Sequence, residues 1–177
     1  MWNRSENKIN CIFIRHGCTV SNREHRYLGR TDEPLDEAGV FELENALNNG
    51  VYKALEENEV RYEAINCDDA DYVIVAFGSS ARICSATVEL ARAEGLKVGL
   101  LRPITLYPFP SKVIADLAKR GVKGFLSAEL NAGQMVEDVR LAVNGAAPVE
   151  HYGRQGGMLF APDEVLVALK EKLINKK

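Results

Sequence analysis

The spacing of apolar and polar residues divides most of this chain into alternating strands and helices. Tyr72–Phe77 (YVIVAF) is a short apolar, β-branched-rich run of strand length. Gly78 breaks it, and Ser79 or Ser80 stands where a helix cap belongs. Ile83, Ala86, Thr87 and Leu90 then recur at helical spacing, Gly95 takes the C′ position, and Val98–Leu101 is a second strand. Two apolar strands joined by a helix form a βαβ unit, which implies a parallel sheet covered on both faces. The glycine turn at Gly78 either serves packing or offers an anion the free N–H groups of a helix start.

The alternation continues toward the C-terminus. Arg102–Pro110 holds Pro103, Pro108 and Pro110, which exclude helix and central strand and predict a rigid extended loop with exposed apolar groups. Ser111 can cap a helix running to about Lys119, with Val113, Ile114 and Leu117 inward and Gly121 at its end. Gly124–Leu130 reads as a third strand. Asn131 and Gln134 resemble a capping box opening a helix over 134–143, with Met135, Val136 and Val139 inward. Pro148–Tyr152 is a fourth strand, and Pro162 suits the first turn of a last helix carrying Val165, Leu166, Leu169 and Leu173. The pattern is that of a compact α/β domain. The loops Glu129–Gly133 and Tyr152–Gly157 both follow strands, so a parallel sheet brings them to one edge. Arg154, among glycines, either reaches an anion or partner carboxylate or is a solvated turn residue.

The first third of the chain is patterned differently. Ile9–Ile14 (INCIFI) is a strand candidate leading into Arg15, His16 and Gly17. Imidazole is a nucleophile near neutral pH and a guanidinium holds phosphate bidentately, so this pair suits phosphoryl chemistry. Gly29–Gly39 is rich in turn residues, and the polar stretch 44–50 reads as a junction. Val51–Glu63 is a charged helix or an extended lead-in, with Glu56, Glu57 and Glu59 as an exposed face. Asn66–Asp71 is a loop.

Composition changes this picture little. The 177 residues are 46% hydrophobic and 27% charged, ordinary for one globular domain or a domain with an appendage. A net charge of −3 gives no reason to expect nucleic acid or an anionic membrane as partner. No apolar run approaches a membrane span and the polar N-terminus lacks a signal peptide's apolar stretch, so the cytoplasm is the expected location. Cys11, Cys18, Cys67 and Cys84 form no C-x-x-C pair, and His16, His25 and His151 are dispersed, so spacing offers no metal centre.

Two stretches resemble known families. RHGCTVSNREHRYLGRTDEPLDEAG, over 15–39, resembles the opening of the histidine phosphatase superfamily. Arg15, His16 and Asn22 match its RHG-x-T-x-x-N pattern and Gly29–Leu35 its G-x-T-D-x-P-L continuation. The resemblance implies His16 as phosphohistidine nucleophile with Arg15 beside it, and Asn22, Arg30 and Thr31 as substrate-binding residues. Cys18 replaces the family's usual acidic residue. Ser79-Ser80-Ala81-Arg82 imitates the segment carrying a second phosphate-binding arginine, but His151 does not stand in the expected H-G turn.

The longer resemblance covers 51–177. EENEVRYE, VAFGSSARI, VGLLRPITLYPFP, ELNAGQMVEDVRLAVNG and YGRQGG are similar to the C-terminal part of the α-type subunit of 2-oxoacid:ferredoxin oxidoreductases. The nearest flavour is the 2-oxoisovalerate enzyme, with the 2-oxoglutarate type close to it. This implies a three-layer α/β/α, transketolase C-terminal-like domain with a mostly parallel five-stranded sheet. Residues 1–50 form a short, incomplete phosphatase-like strand-loop appendage. The resemblance further implies a subunit module for oxidative decarboxylation of a 2-oxoacid to acyl-CoA, inactive alone and serving subunit packing. Its partners would be a β-type thiamine-binding subunit and a ferredoxin-type iron–sulfur subunit, with ferredoxin as electron acceptor. Thiamine diphosphate, magnesium, iron–sulfur clusters and CoA are implied in the assembled complex and none in this chain alone. Arg102, Tyr107, Asn131, Gln134, Tyr152 and Arg154 are the expected partner contacts. The alternatives are a phosphomonoesterase using His16, or an inactive chimeric chain.

Overall fold

The computed structural model describes residues 20–24, 34–48 and 51–175. The strand expected at Ile9–Ile14 and residues Arg15, His16, Arg30 and Thr31 lie outside them, as does the side chain of Asn22. The chain divides into two compact units, Met1–Ala54 and Leu55–Lys177.

In the first unit, α1 spans Val20–Arg23 and α2 spans Glu37–Asn48. Asp36 caps α2: its Oδ1 accepts the Gly39 N–H at 2.6 Å. Arg23 pairs with the same carboxylate and holds it below the usual carboxylate range. Gly39, expected in a loop, and residues 44–48 of the stretch expected to be a junction are therefore helical. An aspartate cap, with Glu37 in the first turn, offsets the roughly 1 kcal/mol that glycine costs inside a helix.

The second unit is a five-stranded sheet between helices. α3 (Val51–Asn58) crosses the division, followed by β1 (Tyr62–Ile65), β2 (Tyr72–Val75), α4 (Gly78–Ala93) and β3 (Val98–Pro103). Then come α5 (Ser111–Arg120), β4 (Gly124–Glu129), α6 (Met135–Val143), β5 (Val149–Gly153) and α7 (Pro162–Leu169), which continues into a π-helical turn, Lys170–Ile174. The strand order is β1-β3-β2-β4-β5. β3, β2, β4 and β5 are mutually parallel, whereas β1 pairs antiparallel with β3. The sheet is thus mixed rather than mostly parallel, and the expectation for 51–63 holds for its helix but misses the strand that follows. Those residues are a helix followed by an edge strand, whose exposed Tyr62, Glu63 and Ala64 hide its strand character.

Side-chain alternation builds the layers. Ile74, Leu100, Leu126 and Ala128 point to one face, where Cys84, Val88 and Ala91 of α4 and Val165 and Leu169 of α7 cover them. Val73, Val75, Leu101 and Phe125 point to the other, under Ile114 and Leu117 of α5 and Met135 and Val139 of α6. Strands buried on both faces read as continuous apolar runs, as 72–75 and 124–128 do.

Two expected caps are replaced. Phe77 is the N-cap of α4, without a side-chain cap bond, so Ser79 and Ser80 lie inside the helix. Pro110 is the N-cap of α5, and Gly121, at φ 102°, ends it in the left-handed conformation that favours glycine. Pro103 also departs from expectation by closing β3 as a strand residue. The β2–β3 ladder has ended at Leu101, so the missing N–H of Pro103 falls beyond it.

Candidate functional site

Because β2 to β5 are parallel, the turns after them share one edge of the sheet. The chain moves from β2 out to β3 and back past β2 to β4, so the strand order reverses between β2 and β4. In open α/β sheets such a reversal leaves a crevice at the carboxyl ends, where ligands bind. Glu129, the last residue of β4, stands there.

Glu129 is fully buried, yet its carboxylate is saturated. Oε2 accepts the N–H of Gln134 at 3.1 Å and of Met135 at 2.8 Å, and Oε1 accepts the N–H of Val136 at 2.9 Å and the Ser127 hydroxyl at 2.9 Å. Burial opposes its charge, but the three backbone donors and the serine prevail and hold its pKa below the ordinary glutamate value. This carboxylate, five residues upstream, does the capping that the sequence assigns to Asn131 and Gln134. Gln134 occupies the N-cap position without a side-chain cap bond, and Asn131 Oδ1 accepts the Gly133 N–H at 2.7 Å, shaping the turn before it.

His151, on β5, lies beside this carboxylate. Its Nε2 is 3.8 Å from Glu129 Oε1, beyond hydrogen-bond reach, and is buried without a hydrogen-bond partner among the described residues. The loop closes tightly over it. A Cβ on Gly153 would fall against the Asn131 carbonyl and 2.5 Å from His151 Cε1. Glu129 and His151 form the polar centre of this edge, a pairing that the sequence pattern does not predict. The available signal was an acidic residue ending an otherwise apolar strand just before a helix start.

The expected contact residues divide into two groups. Asn131, Gln134, Tyr152 and Arg154 gather at the β4–β5 end. Arg154 is engaged within the fold: Nη2 meets Glu164 Oε1 at 2.7 Å, Nη1 donates to the Leu159 carbonyl at 3.1 Å, and its N–H donates to the Glu129 carbonyl at 3.1 Å. Glu164 also accepts the Ala161 N–H at 2.6 Å, and these donors hold its carboxyl below the usual range. Arg154, read from the sequence as reaching an anion or partner carboxylate or as a solvated turn residue, is here bonded to a carboxylate of its own chain. Tyr152 packs on Phe160 with ring centroids 5.6 Å apart.

Arg102 and Tyr107 stand apart, after β3. Arg102 Nη1 pairs with Glu63 Oε2 across the β1–β3 ladder at 2.9 Å. It borders a cleft of about 610 Å³ that also reaches Gly78, Ser79, Arg82 and Ser85 at the start of α4. Tyr107 is exposed on the proline-rich loop.

Metal or thiolate chemistry finds no fitting residues here. Among the described residues, no group of three or more His, Cys, Asp or Glu side chains could hold a metal ion. Burial pushes the thiols up, Cys67 to about 11 and Cys84 to about 12, so both stay protonated at neutral pH. Cys67 and Cys84 also lie in separate core clusters on opposite faces of the sheet, so they do not form a ligand pair. No helix among the described residues is long and apolar enough to cross a membrane.

Comparison with known proteins places this geometry in a family. Residues 70–165 match the family described as pyruvate:ferredoxin oxidoreductase core domain II. Over 120 residues the chain is 52% identical to the ketoisovalerate oxidoreductase subunit VorB of Methanothermobacter thermautotrophicus, covering 68% of this chain and 34% of that one. Over 99 residues it is 36% identical to the 2-oxoglutarate synthase subunit KorA of Methanothermobacter marburgensis, covering 56% of this chain and 26% of the relative. The chain therefore spans about a third or less of the length of these curated relatives.

Solved structures agree on the fold. A 2-oxoglutarate:ferredoxin oxidoreductase from Magnetococcus marinus, solved with 2-oxoglutarate, coenzyme A and succinyl-CoA bound, superposes with a TM-score of 0.60 at 21% identity, over 79% of this chain and 24% of that one. An inactive β4 tetramer of a split-gene transketolase superposes with a TM-score of 0.55 at 18% identity, over 66% of this chain and 42% of that one. The histidine phosphatase resemblance of 15–39 gains no support from these relationships. With the matched segment running from β2 into the first turn of α7 and holding the four parallel strands, the chain belongs to the pyruvate:ferredoxin oxidoreductase core domain II family.

Proposed function

We propose that residues 51–177 act as the C-terminal core module of an α-type subunit of a 2-oxoacid:ferredoxin oxidoreductase, with a branched-chain 2-oxoacid such as 2-oxoisovalerate as substrate. The observation that carries this reading is the 52% identity to a ketoisovalerate oxidoreductase subunit, against 36% to a 2-oxoglutarate synthase subunit. The reaction of the assembled enzyme is oxidative decarboxylation to acyl-CoA, with ferredoxin taking the electrons. Thiamine diphosphate with magnesium, and the iron–sulfur clusters, belong in this reading to a β-type subunit, to a ferredoxin-type subunit and to other domains. This chain's own work is then packing: it presents a rigid sheet edge to those partners, through the proline-rich loop around Tyr107 and the turns at Asn131–Gln134 and Tyr152–Arg154. The setting is the cytoplasm, and the chain alone is inactive. Co-expression with the β-type subunit of its own organism tests the reading. Stoichiometric co-purification is expected, and separate elution of the two chains would reject it.

A further inference from the structure

A groove of about 680 Å³ runs between the end of α3, the start of β1 and the proline-rich loop. Its lining includes the apolar and aromatic groups of Val60, Tyr62, Leu106, Tyr107, Phe109 and Val113. Leu106, Tyr107 and Tyr62 are 49%, 58% and 43% exposed. Exposed aromatic and aliphatic groups gathered at one concavity are uncommon on a surface that meets only water. The carboxylates of Glu56, Glu57, Asp116 and Asp138 also line the groove, with Lys112 as the one cation among its described lining residues. Lys112 Nζ is 2.6 Å from Asp116 Oδ2, and carboxylates outnumber cations along the described lining.

Apolar anchors ringed by one sign of charge select a partner by shape and by opposite charge together. The carboxylates repel acidic segments and nucleic acid, and the apolar part of the lining gives a purely polar chain nothing to bury. We infer that this groove seats a segment of the partner subunit that presents a leucine or aromatic side chain flanked by lysine or arginine. The inference rests on the proposed function and gives its subunit contact a location and a chemistry. It also separates the contact residues, because Tyr107 lies in the groove, whereas Arg154 is held by Glu164 and the Leu159 carbonyl.

Titration of the full chain with the β-type subunit, by calorimetry and by stopped-flow association, tests this. Leu106→Ala and Tyr107→Ala are each expected to weaken binding about tenfold, the effect of removing an interface anchor. Paired Glu56→Lys and Asp138→Lys substitutions are expected to slow association about tenfold at low salt and to flatten the unaltered chain's loss of on-rate with added salt. All four positions are on the surface, and superimposable thermal melts establish that the variants fold. Binding by the unaltered chain that survives every variant unchanged overturns the groove and leaves the proposed function standing. Absence of binding by the unaltered chain overturns the proposed function, and the groove with it. If the groove variants instead dissolve a self-associated dimer and spare subunit binding, the occupant is a second copy and the inference is wrong.

Discussion

Replacing Glu129 by glutamine removes one charge and almost no volume from the sheet edge. The carboxylate accepts three backbone N–H groups and one hydroxyl, all between 2.8 and 3.1 Å. An amide keeps one acceptor oxygen and turns an NH2 group toward donors, so one or two helix N–H groups lose their partner without access to water. A hydrogen bond to a charged group contributes about 1.5–3 kcal/mol, and an anion at a partly buried helix N-terminus adds up to about 2 kcal/mol. Allowing for relaxation, Glu129→Gln should cost about 3 kcal/mol, and should lower the melting temperature by roughly 10 °C for a unit of this size. The pH dependence carries a definite sign. The folded pKa of Glu129 is depressed, so its stabilisation is fully present above the unfolded value of about 4.3 and is lost as pH falls through the folded value. Urea unfolding of both proteins by far-UV circular dichroism should therefore show the largest gap near neutral pH and a shrinking gap below about pH 4. A difference under about 0.5 kcal/mol at neutral pH, the range of an ordinary surface substitution, would refute this account of the site. So would a gap that acid leaves unchanged.

Other consequences follow from the same geometry. Gly153→Ala forces a methyl group against the Asn131 carbonyl and His151, so it should destabilise by about 1–3 kcal/mol in the same urea assay. Iodoacetamide at neutral pH should leave Cys67 and Cys84 unlabelled in the native protein and label both in urea, because burial keeps the thiols protonated. Peptide mass spectrometry reads that outcome directly. A fragment starting at Glu59 should unfold cooperatively. One starting at Asp71 should lose stability, because it lacks the strand that pairs Tyr62–Ile65 with Leu100–Pro103 and leaves that edge of β3 open.

The sequence disclosed elements wherever one side-chain period ran unbroken. β2 is a continuous apolar run and β4 a mostly apolar one because both their faces are covered. α5 and α7 show their inward stripes, and the end of α5 is marked by a glycine that the left-handed turn requires. β1 stayed hidden because its identity comes from a partner: only the ladder to β3, 35 or more residues later in the chain, makes four mostly exposed residues a strand. The direction of that ladder is also what makes the sheet mixed. At the candidate site, local reading found the correct turn and the wrong capping group. Asn131 and Gln134 have capping chemistry at capping spacing, but Glu129 reaches the same N–H groups with a full charge and leaves them no role as caps. His151 carries no local motif, and its burial beside Glu129 arises only when β5 pairs with β4. Arg154 looked free because its partner, Glu164, sits on the next helix.

The proposed docking role is measured most directly by calorimetric titration of the purified chain with the β-type subunit of its own organism. A saturable one-to-one complex of micromolar or tighter affinity is expected, with a negative heat-capacity change from buried apolar surface. No heat of binding at any temperature, with the two chains eluting separately by gel filtration, would contradict it.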